Sequence, residues 1–472
     1  MKKSSITFLA FLYILSVSAQ KSPPVELSKM NLDPKIDQLV KAYQDLDVFS
    51  GVVLVAQNGV PVYHKAFGLA NREANIPNTL QTKFDIGSMN KTFTKVVVFQ
   101  LVEAGKLKLG DPLGMYLSGF PEVAAKNITI EQLLNHTAGF GDYHTPGFFD
   151  APRSEKTIAA IAEKAKNMPL LFEPGTDQSY SNLGYILLGA IIEKVTGKTY
   201  HENVKERIIQ PLELRDTYVE DKDRVPQRSI GYFKNMKGEL ENNEGFLEIP
   251  NPDGGFQSTT LDILKFYREY HYGHKLLKPE TKKLDEMWAF MQEHQTTGGA
   301  IPHAGGFEGA NTVIFEVLRD KISVIVFANM DEPVAEQLGV GILSIIRGKE
   351  PQQPSLPATQ NVYQAMQEHG LGYVKENFEA LTVNFHPTDP RDMILNEVGY
   401  ELLFSEDIDQ AIATFQLNTE LFPDVANVWD SLGEAWLKKG DREKALKYYQ
   451  KALAIDPGLP SAKAAVDRLD KG

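Results

Sequence analysis

Residues 51–69, GVVLVAQNGVPVYHKAFGL, are rich in β-branched positions and break at Asn58-Gly59, a pair suited to a two-residue hairpin turn. Far along the chain, NTVIFEVLRDKISVIVFAN (311–329) gives two more β-rich runs around Asp320-Lys321. Between them the apolar period becomes helical. LGYILLGAIIEKVT (183–196) is closed by Gly197, a helix-stop signal. Phe93, Val97, Leu101 and Ala104 form a stripe ended by Gly105, which predicts a helix starting at Ser88 despite the β-rich KVVVF within it. Strands at both ends with helices between them predict an α/β (α+β) domain whose terminal strands share one antiparallel sheet flanked by helices.

The pattern changes near residue 350. GKEPQQPSLPATQ (348–360) has Pro and Gln without apolar periodicity and reads as a linker. Beyond it, 361–472 turns to Ala, Leu and charge at helical spacing. Trp429, Leu432, Gly433, Trp436, Ala445, Tyr449, Ala452 and Pro457 resemble a tetratricopeptide repeat. One repeat length (~34 residues) earlier, Leu395, Val398, Gly399, Leu402, Ala411, Phe415 and Pro423 fill the same slots. Two repeats, about 392–425 and 426–459, are therefore expected. Their small residues let paired helices approach and their aromatics fill the groove. Two repeats are marginal alone, so 361–385 is expected to add helices, or the array to dock on the first domain. The repeats also offer a surface for a protein partner.

Composition narrows the options. A formal charge of −13 over 472 residues argues against nucleic acid as a partner. The start, MKKSSITFLAFLYILSVSAQ, has Lys2 and Lys3, a short apolar run and small residues up to Ala19. It reads as a signal peptide over 1–19, giving a periplasmic or secreted protein with no integral membrane segment after cleavage. Zero cysteines exclude disulfides and a thiol nucleophile.

Three short stretches carry candidate chemistry. Ser88 and Lys91, in FDIGSMNKTFTK, lie three apart at the expected helix start, where free N–H groups and the positive helix end adjoin a hydroxyl that needs a base. Tyr180-Ser181-Asn182 precedes the apolar helix. A tyrosinate can accept a proton, and an Asn amide can accept from an ammonium while donating to a carbonyl. Asn182 also suits the N-cap of that helix. His303-Ala304-Gly305-Gly306 precedes a strand, where glycines permit close approach of a ligand to backbone. Each pattern taken singly recurs by chance, and Ser18…Lys21 repeats the first without meaning. His136-Thr137-Ala138-Gly139 has its glycine one place late and precedes no strand, and His271/His274 reads as an exposed pair.

In this order the three stretches resemble the signatures of the penicillin-recognising serine hydrolases: class C β-lactamases, D-alanyl-D-alanine peptidases and related esterases. LLNHTAGFGDY (133–143), FEPGTDQSYSNLGYILLGAIIEKVTG (172–197) and GGFQSTTLDILKF (254–266) look like the family's connecting segments. The resemblance covers about 35–347, within a hydrolase domain set at 20–347, and implies a β-lactamase/transpeptidase-like fold that needs no cofactor or metal. It implies Ser88 as acylated nucleophile and Lys91 and Tyr180 sharing the proton work, with the choice of base open. It further implies Asn182 holding Lys91 and a small-molecule or peptide substrate, N–H groups of Ser88 and Gly306 forming the oxyanion hole beside Gly305, and His303 lining the opposite wall. Many members carry lysine at that last position. An imidazole titrating near pH ~6.5 would make carboxylate recognition pH-sensitive and would favour peptidase or esterase action over β-lactamase action. The rival reading is a non-catalytic binding protein that keeps the hydrolase scaffold and works through its repeats.

Overall fold

The computed structural model describes residues 24–144, 147–246, 249–383 and 390–470; the expected signal peptide lies outside them. The chain divides into two compact units, one comprising residues up to Phe233 and Asn242–Pro354, the other Lys234–Glu241 and Ser355 onward. Among the described residues no helix is long and apolar enough to cross a membrane.

The first unit is built on a five-stranded antiparallel sheet. Its strands are β1 (Gly51–Gln57), β2 (Val60–Phe67), β3 (Ile301–Phe307), β4 (Ala310–Val317) and β5 (Ile322–Ala328), in the spatial order β2-β1-β5-β4-β3. The two β-rich ends of the domain meet at its centre, where Leu54 pairs with Ile325. Asn58 and Gly59 take the positive φ of the tight turn, as does Lys321 between β4 and β5. β1, β4 and β5 are buried along nearly their whole length, because helices cover both faces. On one face lie α1 (Asp33–Asp45) and α5 (Val334–Ile346), close enough that Gly339 faces Val313 and Phe315. On the other, Val52, Leu54, Ile325 and Phe327 join the core of α2 (Asn90–Glu103), α3 (Asn182–Thr196) and α4 (Thr260–Tyr272).

Helix α2 starts later than expected. Ser88 lies in a 3₁₀ turn, Gly87–Met89, and the α-helix begins at Asn90. Its stripe is wider as well, with Val96, Val98 and Phe99 buried beside Phe93, Val97 and Leu101. Burial nearly all round explains why the β-rich run remains helical, since packing outweighs propensity differences of a few tenths of a kcal/mol per residue. Gly105, at φ +66°, ends it.

The second unit contains α6 (Ala358–Leu381), α7 (Asp392–Phe404), α8 (Ile408–Leu421), α9 (Ala426–Lys438), α10 (Arg442–Ile455) and α11 (Pro460–Asp470). Helix α6 begins inside the stretch read as linker and bends at Gly370, whose φ of +82° is not helical. Within each pair the small residue meets the aromatic of its own repeat: a Cβ on Gly399 would press into the Phe415 ring, and one on Gly433 into Tyr449. Val362, Phe378, Leu395, Val398, Leu402 and Phe415 share one core. Helix α6 thus contributes to the stack that two pairs alone would leave open.

A buried carboxyl on α5 makes the stability of the first unit pH-dependent. Glu336 Oε1 accepts from Asn311 Nδ2 at 3.1 Å. Burial, then the neighbouring Glu332 carboxyl, push its pKa from 4.5 up to about 8. Between those values the folded chain holds a proton that the unfolded chain has released, so this group's contribution to stability falls as pH rises through the window and is flat outside it. Glu336→Gln should therefore gain on wild type in melting temperature between about pH 5 and about pH 8.5. A difference independent of pH would show that the carboxyl does not titrate in that range.

Candidate active site

The site forms where α2 starts, where α3 starts and where edge strand β3 passes them. Asn90, Lys91 and Thr94 give α2 a polar face, and the turn at 251–254 satisfies it. Asn90 Nδ2 donates to Asn251 O at 2.6 Å, Thr94 Oγ1 to Pro252 O at 2.6 Å, and Lys91 Nζ to Asp253 O at 2.9 Å. Lys91 is buried with 6% of its surface exposed, so its amine depends on such partners. It has two more: Nζ lies 3.0 Å from Ser88 Oγ and 2.7 Å from Asn182 Oδ1. The rings of Tyr180 and Tyr185 face it at 4.8 and 5.6 Å.

Tyr180 OH lies 2.6 Å from Ser88 Oγ. The serine hydroxyl is thus in hydrogen-bond reach of both a phenol and an amine, although 92 residues separate Ser88 from Tyr180. The N-cap of α3 is Ser181, whose Oγ accepts from Gly184 N–H at 3.3 Å. Asn182, expected as a possible cap, is the first helical residue, which frees its amide to serve Lys91. Its Nδ2 donates to Asp142 Oδ2 at 2.7 Å and lies 3.3 Å from His144 Nδ1. That fixes the amide orientation, with oxygen toward lysine and nitrogen toward carboxylate.

Gly305 and Gly306 stand within β3 and not ahead of it. A Cβ on Gly305 would overlap the Ile86 carbonyl and approach Ser88 N at 2.6 Å. One on Gly306 would overlap the Glu332 carboxylate on the opposite face, and one on Gly87 would sit 2.5 Å from Gly306 N. Only glycines let the strand lie against the turn that carries Ser88. Because β3 is an edge strand, part of its backbone has no ladder partner and is available to a ligand.

His303 departs from expectation. It too lies inside β3, and its Nε2 is 3.2 Å from Nε2 of His271 on α4. Its ring centroid is 4.4 Å from that of Tyr267. Burial, then the charge of Lys95, push its pKa down to about 3. It is neutral at physiological pH, so the expected titration near neutrality, with its pH-sensitive carboxylate contact, is withdrawn. His271 is not an exposed residue either: it is half-buried against His303, whereas His274 is exposed.

Several residues of the site escaped the sequence reading. His136 stacks on Tyr180 at 4.6 Å between ring centroids and accepts the Ser181 N–H at Nδ1, 3.2 Å. Burial, then Lys91 and Lys95, hold it neutral, with a pKa of about 3. Asp142 is held below the usual carboxylate range: burial opposes ionisation, but His144 and Asn182 outweigh it. Asp253 Oδ2 accepts from Tyr143 OH at 2.8 Å, and burial pushes that carboxyl up. His136, Asp142 and Tyr143 all fall in LLNHTAGFGDY, which stood out as text without pointing to any one residue.

Comparison with known proteins identifies the family and the fold. The beta-lactamase family model matches residues 36–341, and a tetratricopeptide repeat model matches 426–459. The chain is 29% identical over 336 residues to penicillin-binding protein 4* of Bacillus subtilis strain 168, covering 64% of this chain and 73% of that protein. It is 28% identical over 331 residues to teichoic acid D-alanine hydrolase of Staphylococcus aureus strain NCTC 8325 / PS 47, covering 67% of this chain and 80% of that protein. The octameric penicillin-binding protein homologue from Pyrococcus abyssi shares the fold, with a TM-score of 0.60 at 23% identity over 71% of this chain and 82% of that one. A family match over more than half of the chain, on a fold that brings serine, lysine and tyrosine together, leads to one conclusion: the chain belongs to the beta-lactamase family and is a serine hydrolase with a tetratricopeptide repeat near its C-terminal end.

Proposed function

We propose that the protein hydrolyses an acyl ester or amide of the D-alanyl type through a covalent acyl-enzyme on Ser88, in an extracytoplasmic compartment. The observation that carries the reading is the contact set of Ser88 Oγ, 2.6 Å from Tyr180 OH and 3.0 Å from Lys91 Nζ. Lys91 Nζ has three oxygen neighbours and two aromatic faces, and the base is assigned to Tyr180, the nearer of the two groups to Ser88 Oγ. Ser88 Oγ then bonds to the substrate carbonyl carbon while its proton passes to Tyr180. The oxygen of that carbonyl takes the charge between the N–H groups of Ser88 and Gly306. Collapse breaks the bond to the leaving oxygen or nitrogen, which collects the proton from Tyr180. Water repeats the sequence and releases the acid. Asn182 keeps Lys91 in place.

Kinship with a protein named teichoic acid D-alanine hydrolase and another named penicillin-binding protein supports the D-alanyl class. The repeat match supports a protein ligand on the helical unit. The test is turnover by the purified protein of a D-alanyl ester, a D-alanyl-D-alanine peptide, a D-amino-acid amide and a β-lactam, with intact mass read after quenching. An acyl adduct mapped to Ser88 with at least one substrate supports the proposal. Turnover without any adduct, or an adduct on another serine, overturns it.

A further inference from the structure

At the C-terminal end of α4 the first unit holds a cavity of about 320 Å³, the volume of a small-ligand pocket. It is separate from the acyl site: none of Ser88, Lys91, Tyr180, Asn182 and Gly306 lines it. His271 does, and its Nε2 is 3.2 Å from Nε2 of His303 on β3. One imidazole therefore stands between the cavity and the strand beside Ser88.

The lining is apolar and aromatic, with charge of one sign. Phe99, Leu277, Met291 and Leu318 are buried, and Tyr272 and Trp288 half-buried. Asp285 also lines the cavity, but its carboxylate is taken by Lys95 at 3.1 Å and by the Tyr270 hydroxyl. Two lining lysines are not neutralised in this way. Lys282 is buried, and its Nζ donates to the carbonyls of Glu269 and Gly273 at 3.2 and 2.6 Å. An ammonium has three donors, so one is unspent. Glu269 draws on that charge through space, yet its Oε1 serves the N–H groups of Lys275 and Leu276. Lys321, exposed at the rim, has its Nζ 5.9 Å from the Tyr272 ring centroid. Among the described residues neither lysine has a carboxylate in ion-pair distance. An apolar, aromatic lining with two unneutralised cations selects an anion with a flat apolar body.

We propose that this cavity is a second ligand site, for a small aryl carboxylate, with its ring against Trp288 and Tyr272 and its charge toward Lys282 and Lys321. The site does not depend on the reading of Ser88 as nucleophile.

The full chain is titrated with 2-naphthoate and with 2-naphthamide, its neutral counterpart, and binding is followed by ligand-observed NMR. Naphthoate should bind with a Kd of about 1 mM or tighter, and at least about fivefold more tightly than the amide. Gln292→Glu and Lys321→Asn change the charge at exposed lining positions, and Asn tolerates the positive φ of residue 321. Each should weaken naphthoate about threefold or more while moving the amide by less than about twofold. Trp288→Ala should weaken both ligands. If that variant fails to fold, the two exposed variants decide. No binding of naphthoate, equal binding of acid and amide, or naphthoate affinity unchanged in both exposed variants overturns the proposal.

Discussion

Ser88→Ala should abolish covalent labelling and lower ester hydrolysis by on the order of 10⁴-fold or more, because the bond-forming oxygen is gone while the rest of the site survives. Tyr180→Phe removes only the hydroxyl 2.6 Å from Ser88 Oγ. It should cost nearly as much in acylation, since residues that act as one unit are far from additive. Lys91→Ala should also be severe, and for two reasons. It removes the cation beside Tyr180, and it leaves Asn182 Oδ1 and Asp253 O without their shared donor. The double variant Ser88→Ala/Tyr180→Phe should be hardly worse than Ser88→Ala. Stopped-flow acylation with intact-mass readout gives the values. If Tyr180→Phe acylates within about tenfold of wild type, Lys91 takes the proton and the assignment of base reverses.

Lys95→Met should destabilise the first unit by about 3–5 kcal/mol, the cost of leaving a buried charge without its partner. Lys95 lies on α2 four residues after Lys91, and its Nζ is 3.1 Å from Asp285 Oδ1 with side chains only 12% and 2% exposed. Burial opposes ionisation of both groups, yet their mutual attraction prevails, holding Asp285 below and Lys95 above their ordinary ranges. Asp285 also accepts from Tyr270 OH and, at 3.1 Å, from Met287 N–H, so removing the lysine strands a carboxylate that several groups depend on. Lys95→Met/Asp285→Leu should be less damaging than the sum of its parts, as expected for a pair in contact. Urea unfolding of wild type, both single variants and the double variant closes the cycle. A single-variant cost below about 1 kcal/mol would mean that water reaches the pair and screens it.

These two predictions differ in what made them visible. Ser88, Lys91, Tyr180, Asn182 and the paired glycines were legible because each sits in a short pattern whose local backbone the sequence dictates. One is a turn into a helix, one a helix start, and one a glycine step in a strand. Lys95, Asp285, His271 and His136 were not legible. Lys95 falls within a helix whose other residues explain themselves by burial, and Asp285 lies 190 residues away. His136 fails the motif because its glycine comes one place late and no strand follows, tests that concern backbone approach and say nothing about an imidazole stacked on a tyrosine.

By itself the sequence determined the hairpin around Asn58-Gly59, the two strands around Asp320-Lys321, the helix over 183–196, the meeting of the chain's β-rich ends in one antiparallel sheet, the paired helices beyond residue 390 and the residue types from which the site is made. Those follow from period, turn chemistry and glycine, all of which act over a few residues. Only the tertiary structure decided that Ser181 and not Asn182 caps its helix, that His303 turns toward His271 and stays neutral, and that Phe149, Phe246 and Phe307 pack together. Each of these depends on which distant groups are packed together. Proton affinity and specificity are set by burial and by neighbours within a few ångströms, and distance along the chain does not encode those neighbours.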